Sequence, residues 1–174
     1  RVGLVSQLAV YFAGHDAEAG FEWLKSIKAS DSERSLAASV FARHLAIADP
    51  ATWEKMTSSL TKGALLDSFI GAGLAGIAKT DAKGAWLKLQ ELKLQTSNVQ
   101  ATEERVLNSM ASLNPMGLWN IMKENATAVS ELGFTEKRFF ESANFEHERD
   151  AVALLCGYIG RDEMVDNYLA YTSR

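Results

Sequence analysis

A glycine-rich segment is the part of this sequence that most suggests chemistry. Gly71, Gly73 and Gly76 form the pattern GxGxxG. In dinucleotide-binding enzymes such glycines turn the chain from a strand into a helix, whose N-terminus binds the pyrophosphate. Such a site also needs an acidic residue at the end of a second strand about 20 residues later. Residues 59–68 contain no Val, Ile, Phe or Tyr, and Glu91 lies among leucines at helical spacing. We therefore expect glycines that permit close helix packing, and keep a dinucleotide-binding enzyme as an alternative.

Two further patterns resemble catalytic motifs but are incomplete. His147 begins a zincin-like HExxH pattern, but Ala151 stands where the second histidine is required. Ser59 and Lys62 match SxxK, the acylated-serine motif, without its Ser-Asp-Asn or Lys-Thr-Gly partners. The single cysteine, Cys156, excludes an internal disulfide and a Cys-rich zinc site. We therefore predict no catalytic residue, no cofactor and no metal site, and expect that the chain is not an enzyme.

Composition places the chain among ordinary globular proteins. It has 174 residues, enough for one domain, with 47% hydrophobic and 23% charged residues. The net charge of −4 argues against a nucleic-acid partner. No segment reaches the roughly 18 apolar residues that a membrane span requires. These features fit the cytoplasm and the periplasm equally, so the compartment stays open.

Residue usage and the two prolines favour helices throughout. Ala and Leu, which favour helices, far outnumber Val and Ile. Pro50 and Pro115 directly follow Asp49 and Asn114, two residue types that commonly cap helix N-termini. Proline at the first helical position loses no hydrogen bond, because its nitrogen would lack an intrahelical acceptor there. The sequence therefore predicts an all-α fold with helices that begin at these residues.

A sequence repeat connects these helix starts. The intervals between the predicted caps, counted along the chain, are 33, 32 and 33: Asp16, Asp49, Asp81 and Asn114. Each is followed four or five residues later by an aromatic residue: Phe21, Trp53, Trp86 and Trp119. Each is preceded by an alanine three residues upstream: Ala13, Ala46, Ala78 and Ala111. These shared spacings place each set on one helical face, where we expect the alanines at close helix crossings.

Each repeat is predicted to be an antiparallel helix pair, with helix A opening at the cap and helix B ending at the next cap. The single helical-repeat domain, residues 1–174, then divides into a partial unit, four repeats and a divergent C-terminal unit: 1–15, 16–48, 49–80, 81–113, 114–145 and 146–174. Residues 1–15 fit a helix B without its helix A, so we expect a fragment of a longer protein. A helical bundle with coincidental spacing is the alternative.

Paired helices with this period and with Asp-Pro at a junction resemble tetratricopeptide-type or HEAT-like helical repeats, although this chain diverges from the strict tetratricopeptide consensus. The resemblance implies an α-solenoid of stacked helix pairs. It also implies a scaffold or adaptor that binds a peptide or protein surface on one solenoid face. An auxiliary or regulatory domain of a larger enzyme is the alternative function.

Overall fold

The computed structural model describes residues 2–143, and this part of the chain is all helical, without strands. The all-α prediction is confirmed there. The ten α-helices are α1 (Val2–His15), α2 (Ala17–Ser26), α3 (Asp31–Ala48), α4 (Pro50–Ser59), α5 (Ala64–Ala78), α6 (Ala82–Leu92), α7 (Val99–Leu113), α8 (Pro115–Glu124), α9 (Ala126–Glu131) and α10 (Glu136–Ser142), with a short 3₁₀ helix at Lys93–Gln95. The unit predicted at 146–174, the His147 pattern and Cys156 lie outside the described residues.

Helices α2, α4, α6 and α8 begin at four caps with nearly the same backbone conformation. Their N-caps are Asp16, Asp49, Asp81 and Asn114, with φ between −153° and −139° and ψ between 67° and 82°. Each side chain accepts a hydrogen bond from the backbone N–H three residues later. Each cap N–H also donates to the carbonyl four residues earlier, at the end of the preceding helix. One residue thus ends one helix and begins the next, and each cap contributes about 1 kcal/mol.

The cap at Asp49 has an additional hydrogen bond. The Thr52 hydroxyl donates to Oδ2 of Asp49 over 2.6 Å, and the Thr52 N–H donates to Oδ1 over 3.0 Å. Both bonds favour the charged carboxylate, so they lower the pKa of Asp49, with the hydroxyl as the larger cause.

The helices form two layers. In the first, which we call the B row, α1, α3, α5, α7 and α10 lie side by side, each in contact with the next. Helices α2, α4, α6 and α8 lie against this row, each packed on at least one B-row helix. Ion pairs link successive helices of this second layer, two of them exposed and the second with a half-buried lysine: Lys55–Glu18, Lys88–Glu54 and Lys83–Glu124. Because these pairs are largely exposed, apolar packing between the layers supplies most of the stability.

The core lies between the layers, and the aligned positions of the sequence are in it. The alanines Ala13, Ala46, Ala78 and Ala111 are at most 6% exposed, and the aromatics Phe21, Trp53, Trp86 and Trp119 at most 7%. The indole N–H of Trp53 donates to the carbonyl of Phe69 on α5. The Trp119 ring lies 5.0 Å from the Phe139 ring on α10. Both indoles therefore contact a B-row helix that follows them in the chain.

The segment after α8 departs from a simple helix pair. The short helix α9 lies between α8 and α10, and it begins at Asn125 without a side-chain cap hydrogen bond. It ends near Gly133, whose φ of +70° is a backbone conformation that glycine adopts without strain. The sequence pattern did not indicate α9, because this helix has only six residues and no aligned cap.

Candidate functional site

The glycine-rich segment lies in the middle of α5, not at a turn. Residues 68–76 are all buried, and the helix continues without a break from Ala64 to Ala78. A dinucleotide fingerprint requires a strand before the glycines and a helix N-terminus at them. Residues 2–143 contain neither feature at this position. Gly71, Gly73 and Gly76 therefore do not have the geometry of the dinucleotide site that was the enzymatic alternative.

Each of the three glycines instead accommodates a residue from a different helix. A Cβ at Gly73 would lie 2.3 Å from the Trp53 ring of α4. A Cβ at Gly71 would lie 3.1 Å from Cδ of Arg105 on α7. A Cβ at Gly76 would lie 2.7 Å from the carbonyl oxygen of Arg43 on α3 and 3.2 Å from its Cγ. The glycines thus let one indole and two arginine stems approach the α5 backbone closely, as the packing interpretation expects.

A groove runs over the face of α5 that these two arginines border. We call it the Arg groove, and its volume is about 430 Å³. Its floor consists of small residues of α5, namely Ser68, Gly71, Ala72 and Ala75. Because these side chains are short, the groove reaches close to the helix backbone.

The walls of the Arg groove come from α3 and α7. Ser39 and Arg43 lie on the α3 side, and Arg105 and Ser109 lie on the α7 side. A second depression of about 570 Å³ shares both arginines and Ser109 and extends along α7. The two cavities therefore form one continuous surface across three helices of the B row, with apolar side chains such as Leu36 beside the arginines and serines.

The arginines and the carboxylates along this surface differ in whether they have hydrogen-bond partners. Arg43 and Arg105 are exposed, and neither guanidinium has an ion pair or hydrogen bond to another residue of the range 2–143. The nearby carboxylates are both engaged. Asp67 accepts the Ser97 N–H over 2.8 Å, and Glu104 accepts a guanidinium N–H of Arg138 over 3.2 Å. The Arg groove therefore offers two cationic donors with free hydrogen-bonding capacity.

Ser59 of the SxxK pattern and His15 each contact a backbone carbonyl of their own helix. The Ser59 hydroxyl donates to the Met56 carbonyl at the end of α4. His15 contacts the Tyr11 carbonyl through Nδ1, and its ring stacks on the Tyr11 ring. Nowhere in the described range do three or more His, Cys, Asp or Glu side chains come together as a metal site would require.

The sequence did not single out Arg43 and Arg105. They are far apart in the chain, and they occupy different positions relative to their caps, six residues before Asp49 and nine before Asn114. The glycines were the available signal, because a glycine inside a helix often marks a close approach by a neighbour. The identity of that neighbour depends on helix packing, which the sequence pattern does not specify.

Comparisons of the chain with known protein families, with curated proteins and with solved structures give no match. Among the helices of residues 2–143, none combines the length and the hydropathy that crossing a membrane requires. The Arg groove is therefore the candidate binding site of the described residues.

Proposed function

We propose that this chain is a non-enzymatic protein-interaction scaffold that binds a peptide segment of a partner protein in the Arg groove. In this proposal the helix pairs form a divergent tetratricopeptide-like or HEAT-like α-solenoid, with the repeat period that the caps define. The observation that carries the proposal is the groove itself, a surface across α3, α5 and α7 that combines small apolar side chains with two unengaged guanidinium groups.

The solenoid arrangement is supported by local geometry that recurs along the chain. Four caps share one backbone conformation, and four aromatics and four alanines at matching offsets are buried. The B-row helices contact one another in chain order. In a solenoid each unit packs mainly on its neighbours, and the stacked helices create an extended binding surface.

A peptide is the ligand class that best matches the groove. Helical backbone groups within α5 are already hydrogen-bonded to one another, so they offer a ligand little. The hydroxyls of Ser39 and Ser109, with the two guanidiniums, supply side-chain partners for peptide carbonyls and side chains. The small floor residues leave room for a main chain to lie close to α5.

Selection from a library of random-sequence peptides displayed on phage tests this proposal. The full chain serves as bait, and selected peptides are then measured against the wild type and Ser39→Tyr, which places a ring in the groove. Ser58→Tyr is the matched control, because Ser58 is exposed on α4 in the other layer. We expect Ser39→Tyr to weaken binding at least tenfold and Ser58→Tyr to have no effect. Equal binding to all three proteins, or no selected peptide, would contradict the proposal.

A further inference from the structure

We propose that the segment bound in the Arg groove is acidic, with carboxylates that pair with Arg43 and Arg105. This inference rests on the proposed function and specifies the chemistry of its partner. Arginine is the side chain best suited to this role, because its planar guanidinium can donate two parallel hydrogen bonds to one carboxylate.

The two arginines are positioned by their contacts with α5. The Arg105 stem lies over Gly71, and the Arg43 stem lies over Gly76. Their stems reach α5 from its two row neighbours, α7 and α3. A side chain whose stem is packed loses less freedom on binding than one that is fully extended into water. Both arginine stems therefore pack on glycines of α5, and both arginines line the groove.

The separation of the stems suits an extended segment. Five residues of a helix correspond to about 7.5 Å along its axis, which is the separation of Gly71 and Gly76 along α5. In an extended chain, alternate side chains point to the same face and are about 6.6 Å apart. Because Arg105 and Arg43 reach α5 from opposite row neighbours, the segment must also cross the helix between them. The two acidic residues that pair with them are therefore at least two positions apart in an extended peptide.

The remaining charges favour a short acidic peptide over a polyanion. Asp67 lines the Arg groove itself, Glu104 lines the adjoining depression, and the whole chain has a net charge of −4. A nucleic acid would place continuous negative charge against these carboxylates. The resulting repulsion makes the binding of a nucleic acid less favourable. A peptide can carry its carboxylates at the arginines and neutral residues elsewhere.

Fluorescence anisotropy with two dye-labelled peptides tests the inference. One peptide alternates Glu and Ala, and the other alternates Gln and Ala. Each peptide is titrated with the wild type and with the variants Arg43→Gln and Arg105→Gln. Glutamine removes the positive charge but retains the methylene groups nearest the backbone. Lys55→Gln is the matched control, because it removes one exposed positive charge from α4 in the other layer. Circular dichroism verifies that each variant is folded.

We expect the Glu peptide to bind at least tenfold more tightly than the Gln peptide. Each arginine variant should weaken binding of the Glu peptide about tenfold, and added salt should weaken it further. Lys55→Gln should bind as the wild type does. Equal binding of both peptides, or arginine variants that bind like the wild type, would overturn the inference.

Three further outcomes separate this inference from the proposed function. Selected library peptides that bind in the groove but lack acidic residues would overturn the acidic specificity and leave the scaffold intact. A single-stranded oligonucleotide that binds more tightly than the Glu peptide would overturn the choice of a peptide ligand. Failure of the library selection itself would overturn the proposed function.

Discussion

Gly73 and Gly14 are both helical glycines, but their surroundings are opposite. A Cβ at Gly73 would lie 2.3 Å from the Trp53 ring, whereas nothing lies within 4 Å of a Cβ at Gly14. Replacement of an exposed helical glycine by alanine usually stabilises a helix by up to about 1 kcal/mol, because alanine loses less backbone entropy. At Gly73 this gain meets a steric clash with a fully buried indole.

We therefore predict opposite effects for the two alanine variants. Gly73→Ala should destabilise the protein by about 1–3 kcal/mol, because the Trp53 ring must move within a packed core. Gly14→Ala should stabilise it by up to about 1 kcal/mol. The free energies of unfolding come from urea titrations followed by circular dichroism. Stabilisation by both variants would mean that the indole does not occupy the space over Gly73.

At the scale of helices, the caps differ in whether their side chains bond only to their own helix or also to a second one. Asn114 caps α8 through Oδ1, which accepts the Gly117 N–H. Its Nδ2 also donates to the Ala78 carbonyl at the end of α5, over 3.0 Å. Within residues 2–143, the side chain of Asp81 has a hydrogen bond only to the nearby Gly84 N–H. Asn114 therefore joins two helices that are not adjacent in the chain.

The exchange of amide and carboxylate at these two caps tests this difference. Asn114→Asp keeps the cap acceptor but replaces the donor to Ala78 with an oxygen, so it should cost about 1–3 kcal/mol. Asp81→Asn should change the free energy of unfolding by less than about 0.5 kcal/mol, because both residue types cap helices well. Thermal and urea unfolding of the two variants measure this directly. Equal costs would show that the bond to Ala78 contributes nothing.

The sequence predicted the helix starts from cap residues and prolines, because capping is a local interaction within three residues. It could not predict the second bond of Asn114, since that bond joins residues 36 positions apart. For the same reason the sequence could not predict which side chains line the Arg groove. Glycines within α5 indicated close packing, but only the packed helices show which arginines lie on them.

For the whole molecule, the solvent accessibility of the tryptophans measures how well the packing of the two helix layers excludes water. The chain has four tryptophans. Trp53, Trp86 and Trp119 are at most 4% exposed, whereas Trp23 is only half-buried.

We predict that iodide quenches mainly the fluorescence of Trp23. Trp23→Phe should therefore remove most of the quenchable signal, and Trp86→Phe should leave it in place. Stern–Volmer titrations of both variants and the wild type provide the measurement. Strong quenching that persists in Trp23→Phe would mean that the indoles between the layers are accessible to water.

The first helix shows how far a repeat pattern can predict burial. Leu4 and Leu8 of α1 lie one repeat before Ala37 and Phe41 of α3. The two α3 side chains are fully buried, but Leu4 is 62% exposed and Leu8 is 36% exposed. The difference arises because α3 has row neighbours on both sides, whereas in residues 2–143 α1 has only α3. Sequence periodicity identifies the apolar face, but burial depends on the presence of a neighbour.

The order of contacts in the B row also affects how the chain folds. Each row helix contacts the next one along the chain, and α5 additionally contacts α4 and α6. Contacts between segments close in sequence require only short loops to close, so the entropic barrier to folding is low and folding is expected to be fast. A helix at the end of such a row can separate without disrupting the rest. Within residues 2–143, α1 has one row neighbour and α5 has two, so opening of α1 requires less free energy than opening of α5.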